Sequence, residues 1–252
     1  TDPTTLLDDP SIGAIHVCTP NDAHAGLIRD ALAAGKHVYC DKPLARTVAE
    51  AAELAALADA SDRVCRMTFN YRFLPATLRA KELVEAGFLG EIFHFRGAYL
   101  HAGYIDPKRP ATWRLRHERS GGGAVMDLGV HLFDLLRWLL GDFAAVRATL
   151  ETRIAERPDP ATGAPVPVDV DDIAIAQVRL AGGASGVLEA SRLATGVQDE
   201  LRFEIHGSRG MIAFNLMEPS WLTVYDATVP EGPLGGDRGP QKLECVARYP
   251  KP

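Results

Sequence analysis

Between Arg119 and Gly141 a histidine and two aspartates interrupt a stretch that is otherwise almost wholly apolar: Gly121-Gly122-Gly123-Ala124-Val125-Met126-Asp127-Leu128-Gly129-Val130-His131-Leu132-Phe133-Asp134. Asp127, His131 and Asp134 stand four and three residues apart, so on a helix they share one face. The pattern predicts a helix over 124–140, stopped by Gly141, and a helix apolar on nearly every side is normally buried. A buried carboxylate and imidazole need partners or a task. An imidazole suits proton transfer near neutrality, and a carboxylate can orient it. A structural Asp–His hydrogen bond, or a solvated edge of the helix, fits the same spacing. Gly121 to Gly123 let backbone or a ligand come close to the helix N-terminus, where free N–H groups and the dipole favour an anion. No further ligand stands at a characteristic metal spacing, so no metal is expected.

The elements that must position this stripe begin upstream. Ile12 to Thr19, His37 to Cys40 and Val64 to Phe69 are short apolar runs that read as buried parallel strands. Helical spacing fills the gaps: Asp22 to Ala34, ended by Gly35, and Ala45 to Ala60, where Thr47 and Glu50 form a capping box. Strand, helix, strand, helix, strand is half of a doubly wound sheet, and ligands of such sheets lie beyond the carboxyl ends of the strands. Those ends carry Thr19-Pro20-Asn21, Asp41-Lys42-Pro43 and Asn70-Tyr71-Arg72. Each trio alone is ordinary turn, capping or surface chemistry; three at equivalent ends suggest a site.

Ala76 to Ala86 reads as an amphipathic helix and Ile92 to His101 as a long strand, followed by a polar loop with Trp113-Arg114. After the central helix, strand-length runs recur at 146–154, 171–180, 185–191, 200–205, 211–215 and 222–225, with hairpin signals at Gly182-Gly183 and Gly207-Ser208-Arg209-Gly210. This half predicts an open, mostly antiparallel sheet with helices on one face. Residues 156–168 read as a proline-rich surface loop, and the tail as loop with one further strand. The fold class is therefore α/β: a partial Rossmann domain over 1–72, then an α+β domain over 73–252.

The 252 residues are 46% hydrophobic and 24% charged, with net charge -6, which is ordinary globular composition. Lys and Arg are scattered, so no nucleic-acid footprint is expected. No apolar run approaches the roughly 18 residues of a membrane span, and the opening residues do not read as a leader. Cys18, Cys40, Cys65 and Cys245 lack metal-ligand spacing, so buried reduced thiols and a cytoplasmic location are expected.

Taken in order, these segments resemble the Gfo/Idh/MocA oxidoreductases over almost the whole chain. Val17-Cys18-Thr19-Pro20-Asn21-Asp22-Ala23-His24 is similar to the family's fourth-strand turn. Gly35-Lys36-His37-Val38-Tyr39-Cys40-Asp41-Lys42-Pro43 resembles its Glu-Lys-Pro motif, and Asn70-Tyr71-Arg72-Phe73 its crossing into the second domain. Trp113-Arg114, then Gly121-Gly122-Gly123 with Asp127 and His131, resemble its substrate-side signature. The resemblance implies NAD or NADP as cofactor and hydride exchange with a secondary alcohol of a sugar, inositol or related polyol. It implies Lys42, Asp127 and His131 as the catalytic set, which also touches substrate, with Arg72 close by. Thr19, Pro20, Asn21, His24 and Asp41 would line the nicotinamide and its ribose, and Trp113 and Arg114 would reach the cofactor from the second domain. It also implies a homo-dimer or homo-tetramer formed through the sheet.

Two departures stand out. Asp41 replaces the family's Glu and is one methylene shorter. No Gly-x-Gly-x-x-Gly occurs; the strand carrying it, with the residue that chooses between NAD and NADP, would precede residue 1. A lysine ammonium could hold the hydroxyl and stabilise alkoxide charge, but sequence leaves open whether Lys42 or His131 takes the proton. Two other readings share these residues: an NAD-dependent glycosidase and a non-catalytic sugar-sensing relative. Intact Lys42, Asp127 and His131 argue against the second.

Overall fold

A computed structural model describes residues 3–248. In chain order its main elements are α1 (Thr4–Leu7), β1 (Ala14–Val17), α2 (Asn21–Ala33), β2 (His37–Cys40), α3 (Val48–Asp59), β3 (Cys65–Met67), α4 (Pro75–Glu85), β4 (Ile92–Leu100), α5 (His117–Ser120) and α6 (Val130–Leu140). There follow β5 (Phe143–Glu151), β6 (Glu156–Pro158), β7 (Pro165–Pro167), β8 (Ile173–Leu180), β9 (Ser185–Ser191), β10 (Glu200–Gly207), β11 (Gly210–Asn215), β12 (Trp221–Asp226) and β13 (Gln241–Glu244). A π-helical turn, Val125–Gly129, leads directly into α6. The proline-rich loop expected over 156–168 contains the small hairpin β6–β7.

Packing groups the chain into two compact units that are discontinuous in sequence. Among the described residues the first takes in 3–69, 107–130 and 152–171; the second takes in 70–106, 131–151 and 172–248. The loop carrying Trp113 and Arg114 and the π turn carrying Asp127 therefore pack with the parallel strands, although sequence pattern places them after the crossing at residue 72.

In the first unit β1, β2 and β3 form a three-stranded parallel sheet in that order. Val17, Val38 and Cys40 from the strands, Ala25, Ile28 and Ala31 from α2, and Leu54 from α3 make its core. The α2 residues repeat at helical spacing, so burial of one stripe fixes the helix on the sheet. Thr47 caps α3 by accepting the Glu50 N–H at 3.1 Å. The reciprocal half of the expected box is displaced by one residue: Glu50 accepts the N–H of Arg46, also at 3.1 Å.

The second unit is an eight-stranded sheet in the order β13-β12-β11-β10-β4-β9-β8-β5, antiparallel except where β4 runs parallel to β9. One face is covered. A Cβ on Gly97 of β4 would lie 2.8 Å from Leu132 and 3.3 Å from Leu136 of α6, so glycine lets the helix sit down on the strand. Leu132, Leu135, Leu136 and Leu139 are buried there, as are Phe95, Leu201, Phe203 and Ile205.

The tightest backbone approach in the first unit is at Gly123, where an added Cβ would lie 1.8 Å from the Asp171 carbonyl oxygen. No side chain can retreat from that clash. Gly123→Ala should cost about 3 kcal/mol of stability. Gly13→Ala, whose Cβ would meet nothing within 4 Å, should stay within about 0.5 kcal/mol of wild type. Urea denaturation of the two variants checks this.

Candidate functional site

In the first unit the loop after β2 delivers Lys42 to the π turn. Its ammonium donates to the Asp127 carboxylate at 2.8 Å and to the Asp127 carbonyl at 2.6 Å. Both side chains are mostly buried, at 16% and 24% exposure, so the pair is screened less than a surface pair. An ammonium has three N–H donors, and one is left after these two bonds. Asp41 turns back on the same loop, where its carboxylate accepts the Lys42 N–H at 2.8 Å.

Segment 117–123 is fastened to the strand-end loops. Arg119 pairs with Asp22 at 2.8 Å, the Asn21 amide donates to the Ser120 carbonyl at 2.8 Å, and the Arg46 guanidinium donates to the Glu118 carbonyl. The Arg119 guanidinium holds the Asp22 carboxyl below its usual range, chiefly by hydrogen bonding. Gly121, at φ +80°, is in contact with the Arg46 backbone, where a Cβ would come within 2.7 Å of its carbonyl oxygen. The helix N-terminus after the glycines holds an anion supplied by the chain itself. The Asp171 carboxylate accepts the Gly123 N–H at 2.7 Å and the Val125 N–H at 2.8 Å. The glycines thus serve close backbone approach, and the position open to a ligand anion in the sequence reading is filled by Asp171.

His24, placed at the cofactor by resemblance, is fully buried. Its ring nitrogens lie 2.8 Å from the Pro43 carbonyl and 3.0 Å from the Thr19 carbonyl. Its ring thus lies between the two strand-end loops that carry Thr19 and Lys42. Buried Asn21 acts likewise through Ser120, whereas Thr19 is exposed and Pro20 and Asp41 are half-buried. Trp113 is half-buried, and the exposed Arg114 guanidinium lies 4.4 Å from the centre of its ring. Of the cysteines, Cys40 and Cys245 are buried as expected, but Cys65 is half-buried and Cys18 is exposed at the end of β1; all four are free thiols.

In the second unit His131 is buried, with the Tyr71 ring edge-on at 4.9 Å and the Tyr99 ring at 5.9 Å. The two phenols share a hydrogen bond of 2.7 Å, and burial pushes both above their ordinary range. Arg72 forks onto the Asp134 carboxylate through two N–H groups, one at 2.7 Å. Along the central stripe, Asp127 meets Lys42, His131 packs beside Tyr71 and Tyr99, and Asp134 meets Arg72.

Residues 1–69 match the model of the oxidoreductase family with NAD-binding Rossmann fold, and residues 77–213 match the GFO/IDH/MocA C-terminal domain. The chain belongs to the Gfo/Idh/MocA oxidoreductase family. It is 40% identical over 236 residues to levoglucosan dehydrogenase of Pseudarthrobacter phenanthrenivorans, covering 89% of this chain and 60% of that protein. With myo-inositol 2-dehydrogenase of Thermotoga maritima the identity is 29%, covering 96% of this chain and 66% of the relative. Among solved structures, levoglucosan dehydrogenase in complex with NADH and levoglucosan superposes with a TM-score of 0.93 at 39% identity, covering 99% of this chain and 65% of that one. An oxidoreductase domain protein from Kribbella flavida gives 0.91 at 42% identity, covering 98% and 65%. The chain spans less than two thirds of the length of these relatives. Among the described residues no group of three or more His, Cys, Asp or Glu side chains could hold a metal, and no helix is long and apolar enough to cross a membrane.

Two outcomes follow for the loops. His24→Ala should lower stability by roughly 1–3 kcal/mol, since it removes a fully buried ring and its hydrogen bond to a loop carbonyl, which a thermal melt would read. Burial pushes the Cys40 thiol from its ordinary 9.0 up to about 12. The folded state therefore holds that proton more tightly than the unfolded one. Its contribution to stability is complete below pH 9 and is lost as pH rises through about 12. Cys40→Ala should flatten this alkaline limb in urea denaturation run at successive pH values.

Proposed function

We propose that the protein is an NAD(P)-dependent oxidoreductase that exchanges hydride with a secondary alcohol of a sugar, inositol or related polyol. The observation that carries this reading is the Lys42–Asp127 pair. A mostly buried ammonium held twice by one aspartate keeps one N–H for a substrate hydroxyl. The names of the relatives, levoglucosan and myo-inositol dehydrogenases, support the substrate class. Levoglucosan, inositols and D-xylose make the first panel.

The strand ends of the first unit suit a dinucleotide. Internal hydrogen bonds take up His24 and Asn21, while exposed Thr19 and half-buried Pro20 and Asp41 line the rim. Thr19, Pro20 and Asp41 would hold the nicotinamide end, with Trp113 and Arg114 as a stacked platform. The bound cofactor supplies a hydride acceptor. In this proposal Lys42 fixes the hydroxyl and stabilises alkoxide charge, Asp127 keeps Lys42 in place, and His131 in the same helical run takes the proton. Residues 1–72 act as the C-terminal half of the Rossmann domain and 73–252 as the substrate and assembly domain, a division supported by the family models ending at 69 and starting at 77.

The uncovered face of the eight-stranded sheet is the proposed contact with a second copy. It exposes Ile175 and Val187 on β8 and β9, and Arg96 of β4 pairs with Glu204 of β10 on the same side. A face alternating both charge signs can complement itself across a two-fold axis. Light scattering of the full-length protein should give at least a dimer, and Val187→Asp should shift it to monomer.

Catalysis is tested in full-length variants. Lys42→Met should abolish turnover with cofactor affinity nearly intact, because it keeps length and loses the charge and donors. His131→Asn should lower turnover and remove a limb of the pH profile near neutrality. Wild-type turnover in Lys42→Met would sink the reading. Glycoside cleavage with NAD unchanged would replace it with the glycosidase.

A further inference from the structure

We propose that Asp171 is a positioning residue for the Lys42–Asp127 pair; the inference rests on the reading of that pair as catalytic. Asp171 is buried, at 6% exposure. It holds three consecutive amides at the start of the helical run. Its two carboxylate oxygens take the N–H groups of Gly123 and Val125, and its carbonyl takes that of Ala124 at 2.8 Å. Gly123 in turn accepts the Asp127 N–H through its own carbonyl at 3.0 Å. One residue therefore separates the Asp171 carboxylate from the backbone of Asp127, and Lys42 grips both the carbonyl and the carboxylate of Asp127.

The manner of capping matters. A serine or threonine cap satisfies one amide and leaves the turn some freedom to rewind. A carboxylate bridging two amides sets both the pitch and the rotation of the turn. The turn it holds is π-helical: the Val130 N–H reaches back to the Val125 carbonyl. Single π turns are rare and persist where surroundings over-determine them. Relaxation to a regular α-turn would rotate Asp127 relative to Lys42. At Gly123 a Cβ would meet the Asp171 backbone at 1.8 Å, so this close contact requires glycine. Asp169 repeats the device two residues earlier, accepting the His117 N–H at 2.7 Å ahead of α5, but that contact leads away from Asp127.

The test is a double-mutant cycle in the full-length enzyme. Asp171→Asn keeps the size but presents an amide donor to one of the two N–H groups. Turnover should fall roughly 10- to 100-fold, with KM for the cofactor little changed. In an Asp127→Asn background the same substitution should cost almost nothing further in turnover, while the drop in melting temperature stays the same in both backgrounds. A structural role alone predicts the melting change with wild-type turnover per folded molecule, and that result overturns the proposal. Equal fold-losses in the two backgrounds also overturn it. Should Asp171→Asn not fold, Asp171→Ser retains one acceptor and is read instead. A crystal structure of the Ser variant should show Lys42 out of hydrogen-bond reach of the Asp127 carboxylate; the contact kept at 2.8 Å would end the proposal whatever the activity. Wild-type turnover in Lys42→Met, by contrast, would remove the catalytic reading itself.

Discussion

The grip of Lys42 on Asp127 is the contact on which the candidate site of the first unit depends. Bringing an ammonium and a carboxylate out of water is favourable only when geometry is good and the remaining donors and acceptors are satisfied. Here one aspartate meets the lysine with its side chain and its main chain, which fixes the lysine in direction as well as distance. Such a contact needs both backbones to be rigid. The lysine's loop is tied by His24, bridging the Pro43 and Thr19 carbonyls. The aspartate's turn is tied by Asp171 from below and by the Asn21, Asp22 and Arg46 contacts to segment 118–120 from the side.

This arrangement explains why the chain leaves the parallel sheet, builds part of another sheet and then returns. Segments 107–130 and 152–171 pack back into the first unit, and the second of them contributes Asp169 and Asp171, which cap the beginnings of two helical turns in the first. The chain then passes into the second unit within α6, between Val130 and His131. His131 there is buried beside Tyr71 and Tyr99, and Asp127 meets the Lys42 ammonium.

Much of this was legible in the sequence because it is local chemistry. The strand and helix alternation, the Thr47 cap and the antiparallel runs all depend on neighbours a few residues apart, and the strands His37–Cys40 and Ser185–Ser191 fall where pattern puts them. Asp171 was not legible: it acts on Gly123 across 48 residues, and a Val-Asp-Val-Asp-Asp run has no marker for which carboxylate turns inward. The π turn is equally hidden, since it comes from tertiary contacts that outweigh helix propensity. His24 is a different case. It lies at the spacing of Ile28 and Ala31 on the buried face of α2, a position the sequence reading took only from the family motif and not from the periodicity of the helix.

The discontinuous packing has a consequence for recombination. Relatives in this family invite chimeras that join the dinucleotide half of one protein to the sheet half of another through a single crossover near residue 72. Such a splice would place Asn21, Asp22, Lys42 and Arg46 from one parent against Ser120, Arg119, Asp127 and Glu118 from the other, across a junction the first unit holds by direct hydrogen bonds and ion pairs. Hybrids that respect the physics would move 107–130 and 152–171 together with 1–69 as one inherited block, and exchange only the intervening loops and strands.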